Sequence, residues 1–460
     1  MSKLSKPNTS LEEARPFQGM SLVNQNAAGV DIGAHEIMVC VPGPDNTQLV
    51  RSFGNYTADL YAIAKWLGEH QIQTVAMEST GVYWIPLFEV LEIYGFHCLL
   101  ISSRSLRRVP GRKSDVVDAQ WIQTLHTYGL LKGSFRPEAD LVALRTLLRH
   151  RTRLLEHRAP HILHMQKALL QMNLQLSQVL TDVTGETGLR IIRAIVQGER
   201  DPYKLAVMRN YRCKKDESEI TKALTGTWRQ EHLFVLAQSL DFYDFYTEKI
   251  AACDAQIEQS YSAVRPNWKC NEELAKIEAQ VLEPKRFAKN APKDGEKLRV
   301  HLKRICGVDL VGVHGISVSL AQTIITEIGA DMSQFPNEKH FCSWLGLAPK
   351  NDISGGKVLI SRTLKTRNRA GQAFRLAAVS VMRADCAFGV FYRRMKSRLG
   401  PAQATVATAH LIARVVYRML KYQVEYEPLS VAEYEKRYHE QQIKYLEKRA
   451  AKFGFQLAPA

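Results

Sequence analysis

Ala27-Ala28-Gly29-Val30-Asp31-Ile32-Gly33 is an apolar run of strand length that ends on an acid, and Thr74-Val75-Ala76-Met77-Glu78 repeats the pattern farther along the chain. A carboxylate at the end of a buried strand is costly unless something offsets its desolvation, and a divalent cation does so best. Downstream of the basic stretch Arg104 to Lys113, Asp115 and Asp118 stand three apart, the spacing that puts both on one face of a helix. Two strand-end acids with such a pair read as a site for Mg²⁺ or Mn²⁺, of the kind that cuts or transfers phosphodiesters. A lone Val30-Asp31-Ile32-Gly33 decides nothing, since an Asp at a strand end often only caps the next turn.

The order of elements carries more weight. An apolar strand, a β-rich segment from Leu49 to Asn55, a helix from Thr57 to His70, a strand ending in acid and then a helix bearing the acid pair match a ribonuclease-H-like, RuvC-type nuclease core. The 460 residues leave room for two or three domains, and 45% hydrophobic content supports buried cores. A net charge of +16 favours a polyanionic partner, because each neutralised phosphate releases a counterion. Charge alone also fits ribosomal or membrane-surface proteins. No apolar stretch approaches the roughly 20 residues that span a bilayer, and Met1 to Asn26 is polar, so a disordered start and a cytoplasmic protein are expected. The eight cysteines are scattered without a Cys-x-x-Cys pair, which argues against structural zinc and a disulfide framework.

From Leu141 to Leu176 apolar residues recur every seven positions, interrupted in the same stripe by Arg151 and Arg158. This predicts a coiled-coil seam or the core of a long helical hairpin, with partners required for both arginines. Pro160 lies on the outer side of the stripe, where a local kink leaves the seam intact. Thr184 to Gln259 reads as further helices, and the Pro/Lys-rich Val264 to Lys297 as a mobile insertion. Gly307 to Gly315 precedes the helical pattern Val318 to Gly329; it reads either as a glycine turn offering backbone N–H groups to a DNA phosphate or as a plain helix-to-helix turn.

Farther on, Phe341 to Pro349 leads into Ser354-Gly355-Gly356-Lys357, and between Ser354 and Gly400 there are eleven Lys and Arg against the single acid Asp385. A serine beside two glycines is sterically open to a phosphate. The cations Lys357, Arg362, Lys365, Arg367, Arg369, Arg375, Arg393 and Arg394 are candidates to neutralise nucleic acid. Read alone, Ser-Gly-Gly is usually just a turn. It is not a phosphate-binding loop, since the earlier glycine is missing and Val358 stands where a hydroxyl is needed.

The chain resembles the DEDD insertion-sequence transposases, understood as bridge-RNA-guided DNA recombinases. The likeness rests on Val30-Asp31-Ile32-Gly33, Met77-Glu78-Ser79-Thr80-Gly81, Lys113 to Ala119, Trp344 to Pro349 with Ser354 to Lys357, Arg362 to Lys365, Asn368-Arg369, Phe374 to Ala378, Phe391 to Arg394 and Tyr434 to Tyr438. The resemblance implies an α/β RuvC-like domain (27–135), a coiled-coil helix (136–180), a mainly helical transposase domain (181–425) containing the insertion at 264–297, and a helical C-terminal tail (426–460). It implies that Asp31, Glu78, Asp115 and Asp118 hold Mg²⁺ or Mn²⁺ and that Ser354 is the catalytic nucleophile, joined covalently to a cut strand. Partners would be donor and target DNA, a structured guide RNA and further copies of the chain, as a dimer or tetramer, with no membrane.

Three alternatives stay open on the residues. In a hydrolytic RuvC-like nuclease the acids do all the chemistry and Ser354 is a turn residue. A tyrosine recombinase is suggested by His410-Leu411-Ile412-Ala413-Arg414, although the His-x-x-Arg spacing is not met and Tyr434, Tyr438 and Tyr445 form one helical stripe. A non-enzymatic nucleic-acid-binding protein accounts for charge and coiled coil but leaves the four acids unexplained.

Overall fold

The computed structural model describes residues 20–44, 47–79, 81–102, 115–137, 139–264, 290, 292, 295–363, 368–456 and 458. The chain divides into two units, Met1–Arg136 and Pro137–Ala460. In the first, β1 (Ala27–Ile32), β2 (Ile37–Pro42), β3 (Gln48–Phe53), β4 (Thr74–Glu78) and β5 (His97–Ile101) form one sheet in the order β3-β2-β1-β4-β5. β2 runs antiparallel to β1 and β3, whereas β4 and β5 run parallel to β1. The parallel centre is covered on both faces, which is why β1 and β4 are apolar almost throughout.

Alternation along the strands separates two layers. Ala28, Val30, Val75 and Met77 pack against Leu60, Ile63 and Leu67 of α1 (Thr57–Glu69) and Leu87 and Leu91 of α2 (Trp84–Ile93). Ala76 and Ile101 face the other way, onto Ile122 and Leu125 of α3 (Asp115–Thr127). Period-two alternation then puts Gly29 and Asp31 of β1, and Ala76 and Glu78 of β4, on the α3 side. This mixed α/β sheet is consistent with a RuvC-like fold. Val23 and Asn24, which composition assigns to a disordered start, donate their N–H groups to the Thr127 carbonyl at 2.9 and 3.0 Å, because the end of α3 leaves its last carbonyls unsatisfied.

The second unit is mostly helical. α4 (Ala139–Gln171) is followed by the shorter α5 (Leu176–Val179), α6 (Glu186–Val196), α7 (Pro202–Val207) and α8 (Glu217–Ala223), then by α9 (Gln230–Ala263). α4 and α9 lie antiparallel: Arg151 pairs with Asp254, and the Arg158 guanidinium donates to Thr247 Oγ1 at 3.1 Å. The seven-residue stripe is therefore the core of a helical hairpin, with Leu144, Met165, Leu169 and Met172 buried. This is one of the two readings the spacing left open; the buried positions of the stripe present no free coiled-coil seam. Both stripe arginines have the polar partners they require.

α10 (Gly295–Cys306) and α11 (Val318–Ile328) flank the glycine turn, followed by α12 (Glu338–Trp344), the hairpin β6 (Pro349–Ser354) and β7 (Lys357–Thr363), α13 (Arg369–Ser380), α14 (Ala387–Leu399), α15 (Pro401–Tyr422) and α16 (Val431–Ala451). Phe341 of α12 anchors this part: its ring centroid is 5.1 Å from Phe335 and 5.7 Å from Tyr417, whose hydroxyl donates to the Phe335 carbonyl at 2.9 Å. α16 buries none of its side chains. Most of the expected insertion, namely 265–289, 291 and 293–294, lies outside the described residues. Among the described residues no helix is long and apolar enough to cross a membrane.

Candidate functional site

β1 and β4 are in register from Ala27 opposite Thr74 to Val30 opposite Met77, so Asp31 and Glu78 follow at the same level of neighbouring parallel strands. Both are half-buried. The helix that completes the site is placed by a glycine. A Cβ at Gly29 would fall 2.2 Å from the Gln123 backbone nitrogen and 2.4 Å from the Ala119 carbonyl oxygen, so α3 lies directly on β1. Gln123 Nε2 donates to the Ala27 carbonyl at 3.3 Å, while Thr127 meets Val23 and Asn24. α3 thus runs antiparallel to β1, and its first turns, with Asp118, come over the Asp31 end. The same end carries the positive pole of the helix dipole, which favours anionic groups there.

Asp31, Glu78 and Asp118 therefore all lie toward the carboxyl ends of the central strands β1 and β4. Asp115 begins α3, but its side chain lies outside the described residues. Among the described residues no three Asp, Glu, His or Cys side chains close into a group able to hold a metal ion. The donor set is nonetheless all carboxylate, the chemistry that suits hard cations such as Mg²⁺ and Mn²⁺.

Two residues to which sequence alone assigns no role shape this end of the sheet. Ser79 follows Glu78, and its N–H and hydroxyl both donate to the Ile101 carbonyl, each at 2.9 Å, which ties the end of β4 to β5. Gly29 admits α3. The serine lay inside a quoted motif, yet its partner is 22 residues away and no local spacing reveals it. At the opposite end of β4, His126 Nε2 lies 2.9 Å from Thr74 Oγ1, and burial lowers the imidazole pKa to about 4.

Ser354 is in the other unit, at the end of β6. It stands opposite Lys357 across the two-residue turn Gly355-Gly356, whose φ angles are 54° and 75°. Positive φ at both central positions is the demand of a type I′ hairpin turn, met there without strain by glycine. A Cβ at either glycine would meet nothing within 4 Å, and Ser354 is itself exposed. An incoming group has open access to the hydroxyl.

The basic candidates divide. Lys357 and Arg362 are exposed on β7, and Arg369 is exposed at the start of α13. Arg375 differs from expectation: it turns inward and donates to the Gly346 carbonyl at 2.8 Å, and desolvation lowers its pKa. Arg393 donates to the carbonyls of Met382 and Ala384 at 3.3 and 3.0 Å. Arg394 lies 3.5 Å from the Tyr438 ring centroid and donates to the Tyr434 hydroxyl at 3.4 Å, so it fastens α16. Lys365 and Arg367 lie outside the described residues. The Gly307 to Gly315 turn is likewise occupied: N–H groups of Gly307, Gly312 and Val313 bond to backbone carbonyls, and a Cβ at Gly315 would sit 2.6 Å from the Ala377 carbonyl oxygen. It is a packed helix connection, not an open phosphate cradle.

A family model described as Transposase, of the DEDD type, matches residues 28–174, and one described as Transposase IS116/IS110/IS902 family matches residues 310–393. No curated protein matches the chain. The first segment contains the acidic end of the sheet and the second contains the Ser354 hairpin. Carrying both transposase segments in this order, the chain resembles the DEDD insertion-sequence transposases, enzymes that act on DNA.

Proposed function

We propose that the chain excises and inserts its own DNA element, cutting and rejoining donor and target strands through a covalent link to Ser354, with sequence chosen by a structured guide RNA. The observation that carries this reading is the open Ser354-Gly355-Gly356-Lys357 turn, which offers a hydroxyl beside a cation. The serine oxygen bonds to phosphorus while one deoxyribose oxygen departs and takes up a proton. One phosphodiester replaces another, so rejoining by a free strand hydroxyl requires no nucleotide cofactor. Serine is a weak nucleophile until its proton is accepted or stabilised, and no histidine is close to Ser354 in sequence. Lys357 sits across the turn to offset charge on the phosphate.

Asp31, Glu78, Asp115 and Asp118 would hold the divalent cation, Mg²⁺ or Mn²⁺, which polarises a phosphate oxygen when bound. The acids belong to one unit and Ser354 to the other. Assembly as a dimer or tetramer is part of the proposal, as is the division into a RuvC-like domain (27–135), a coiled-coil helix (136–180), a transposase domain (181–425) and a tail (426–460). Guide-RNA pairing would read the sequence while Lys357, Arg362 and Arg369 meet backbone phosphates.

The test is denaturing electrophoresis of labelled DNA after incubation with protein, Mg²⁺ and the RNA that copurifies with it, followed by peptide mapping. A shifted band that maps to Ser354 and is lost in Ser354→Ala is expected. Cleaved DNA without an adduct would favour the hydrolytic nuclease, and an adduct on tyrosine would replace the serine reading.

A further inference from the structure

The hairpin that carries Ser354 has an apolar composition that its surroundings do not use. Ile353, Val358, Leu359 and Ile360 are 62, 54, 67 and 47% exposed, and among the described residues neither strand pairs with any other. A two-stranded hairpin is marginal in water by itself. One with apolar side chains exposed at four positions gains by covering them. Its charge points to the occupant: Lys350, Lys357 and Arg362 stand on the two strands against the single acid Asp352. A flat apolar ribbon flanked by cations has the composition of an element that lies in a nucleic-acid groove.

We infer that β6–β7 is a β-ribbon that enters the major groove of duplex DNA, setting Ile353 and Val358, which pair across the hairpin and so share one face, against base edges and thymine methyl groups while its turn meets the phosphates of the groove wall. Dimensions agree. The B-form major groove is about 12 Å wide and admits a two-stranded ribbon. A strand of six residues is about 20 Å long, so the ribbon spans the groove and its tip reaches the backbone. The bulge between Asp352 and Ile353 leaves Leu359 unpaired and adds twist just before the turn. The inference rests on the reading of Ser354 as the group that meets DNA, and adds the surface that brings it there.

The experiment is dimethyl sulfate footprinting of a duplex of about two turns, with Ca²⁺ in place of Mg²⁺ so that no strand is cut. The full-length protein is compared with Ile353→Asn/Val358→Thr and with Ser354→Ala. Wild type and Ser354→Ala are expected to protect guanine N7, in the major groove, and not adenine N3, in the minor groove. The double variant is expected to lose that protection and to bind about tenfold more weakly. Circular dichroism and sedimentation of the same samples report fold and oligomeric state. Protection of adenine N3 alone, or footprints identical between wild type and the double variant, would overturn the inference. So would a double variant that changes oligomeric state but not footprint, which would make the ribbon an interface between copies. The footprint is independent of catalysis: a Ser354→Ala protein that still forms the DNA adduct would refute the serine mechanism while leaving the ribbon assignment intact.

Discussion

A methyl group added at Gly29 would lie within 2.4 Å of backbone atoms of both Ala119 and Gln123, and no side-chain rotation relieves a clash with backbone. Gly29→Ala is therefore expected to push α3 off the sheet, destabilising the N-terminal unit by about 1–3 kcal/mol or more and weakening strand cleavage; an unchanged thermal midpoint would show that α3 accommodates the shift. His126 supplies a second test. Its folded pKa, about 4, lies below the ordinary 6.5, so the unfolded chain binds the proton first as pH falls. The contribution is fully present above pH 6.5 and is lost between 6.5 and about 4, to a limit of about 3 kcal/mol. Replacement of His126 by Gln should flatten this acid limb in denaturant titrations made across the window. Equal slopes in the two proteins would remove His126 from the account.

Among the elements, the α4–α9 hairpin carries a buried charge pair in its seam. Arg151 and Asp254 have side chains 9 and 16% exposed, and Arg151 Nη2 also donates to the Asn290 carbonyl at 3.1 Å. Removing one partner strands the other, at a cost of about 3–5 kcal/mol, whereas replacing both with apolar residues of similar size is often neutral. Asp254→Ala should therefore lower stability far more than the double change Arg151→Met/Asp254→Leu. A double variant at least as unstable as Asp254→Ala would instead assign the pair a net stabilising role. The seven-residue period of α4 was legible because a buried stripe repeats with the helix turn. Which segment covers it was not, since α9 presents its matching acid 103 positions away.

For the whole molecule, the acidic end of the sheet and the basic C-terminal half require different solution behaviour. Carboxylates brought together repel one another, and a cation bound among them would stabilise the folded state by mass action. Mg²⁺ or Mn²⁺ should raise the thermal midpoint of the wild type but not of Asp31→Asn or Asp118→Asn, and both variants should lose strand cleavage while keeping the fold. Full cleavage by either would remove that acid from the site. Sequence alone specified β1 and β4, because an apolar run ending in acid has few other stable forms, whereas β2, β5 and the β6–β7 hairpin were not legible in it. It marked a turn at Gly355-Gly356 too, since neither glycine resists positive φ. Those are local matters of φ and of period. Tertiary structure alone decided that α3 lies antiparallel on β1 at Gly29, that Arg375 serves the Gly346 carbonyl, and that Arg394 packs on Tyr438 of α16. The physical reason is that a guanidinium or a glycine reads the same in sequence whether it faces water or another helix. Its role is set by which distant backbone or ring comes within contact range, and that depends on packing among segments far apart in the chain.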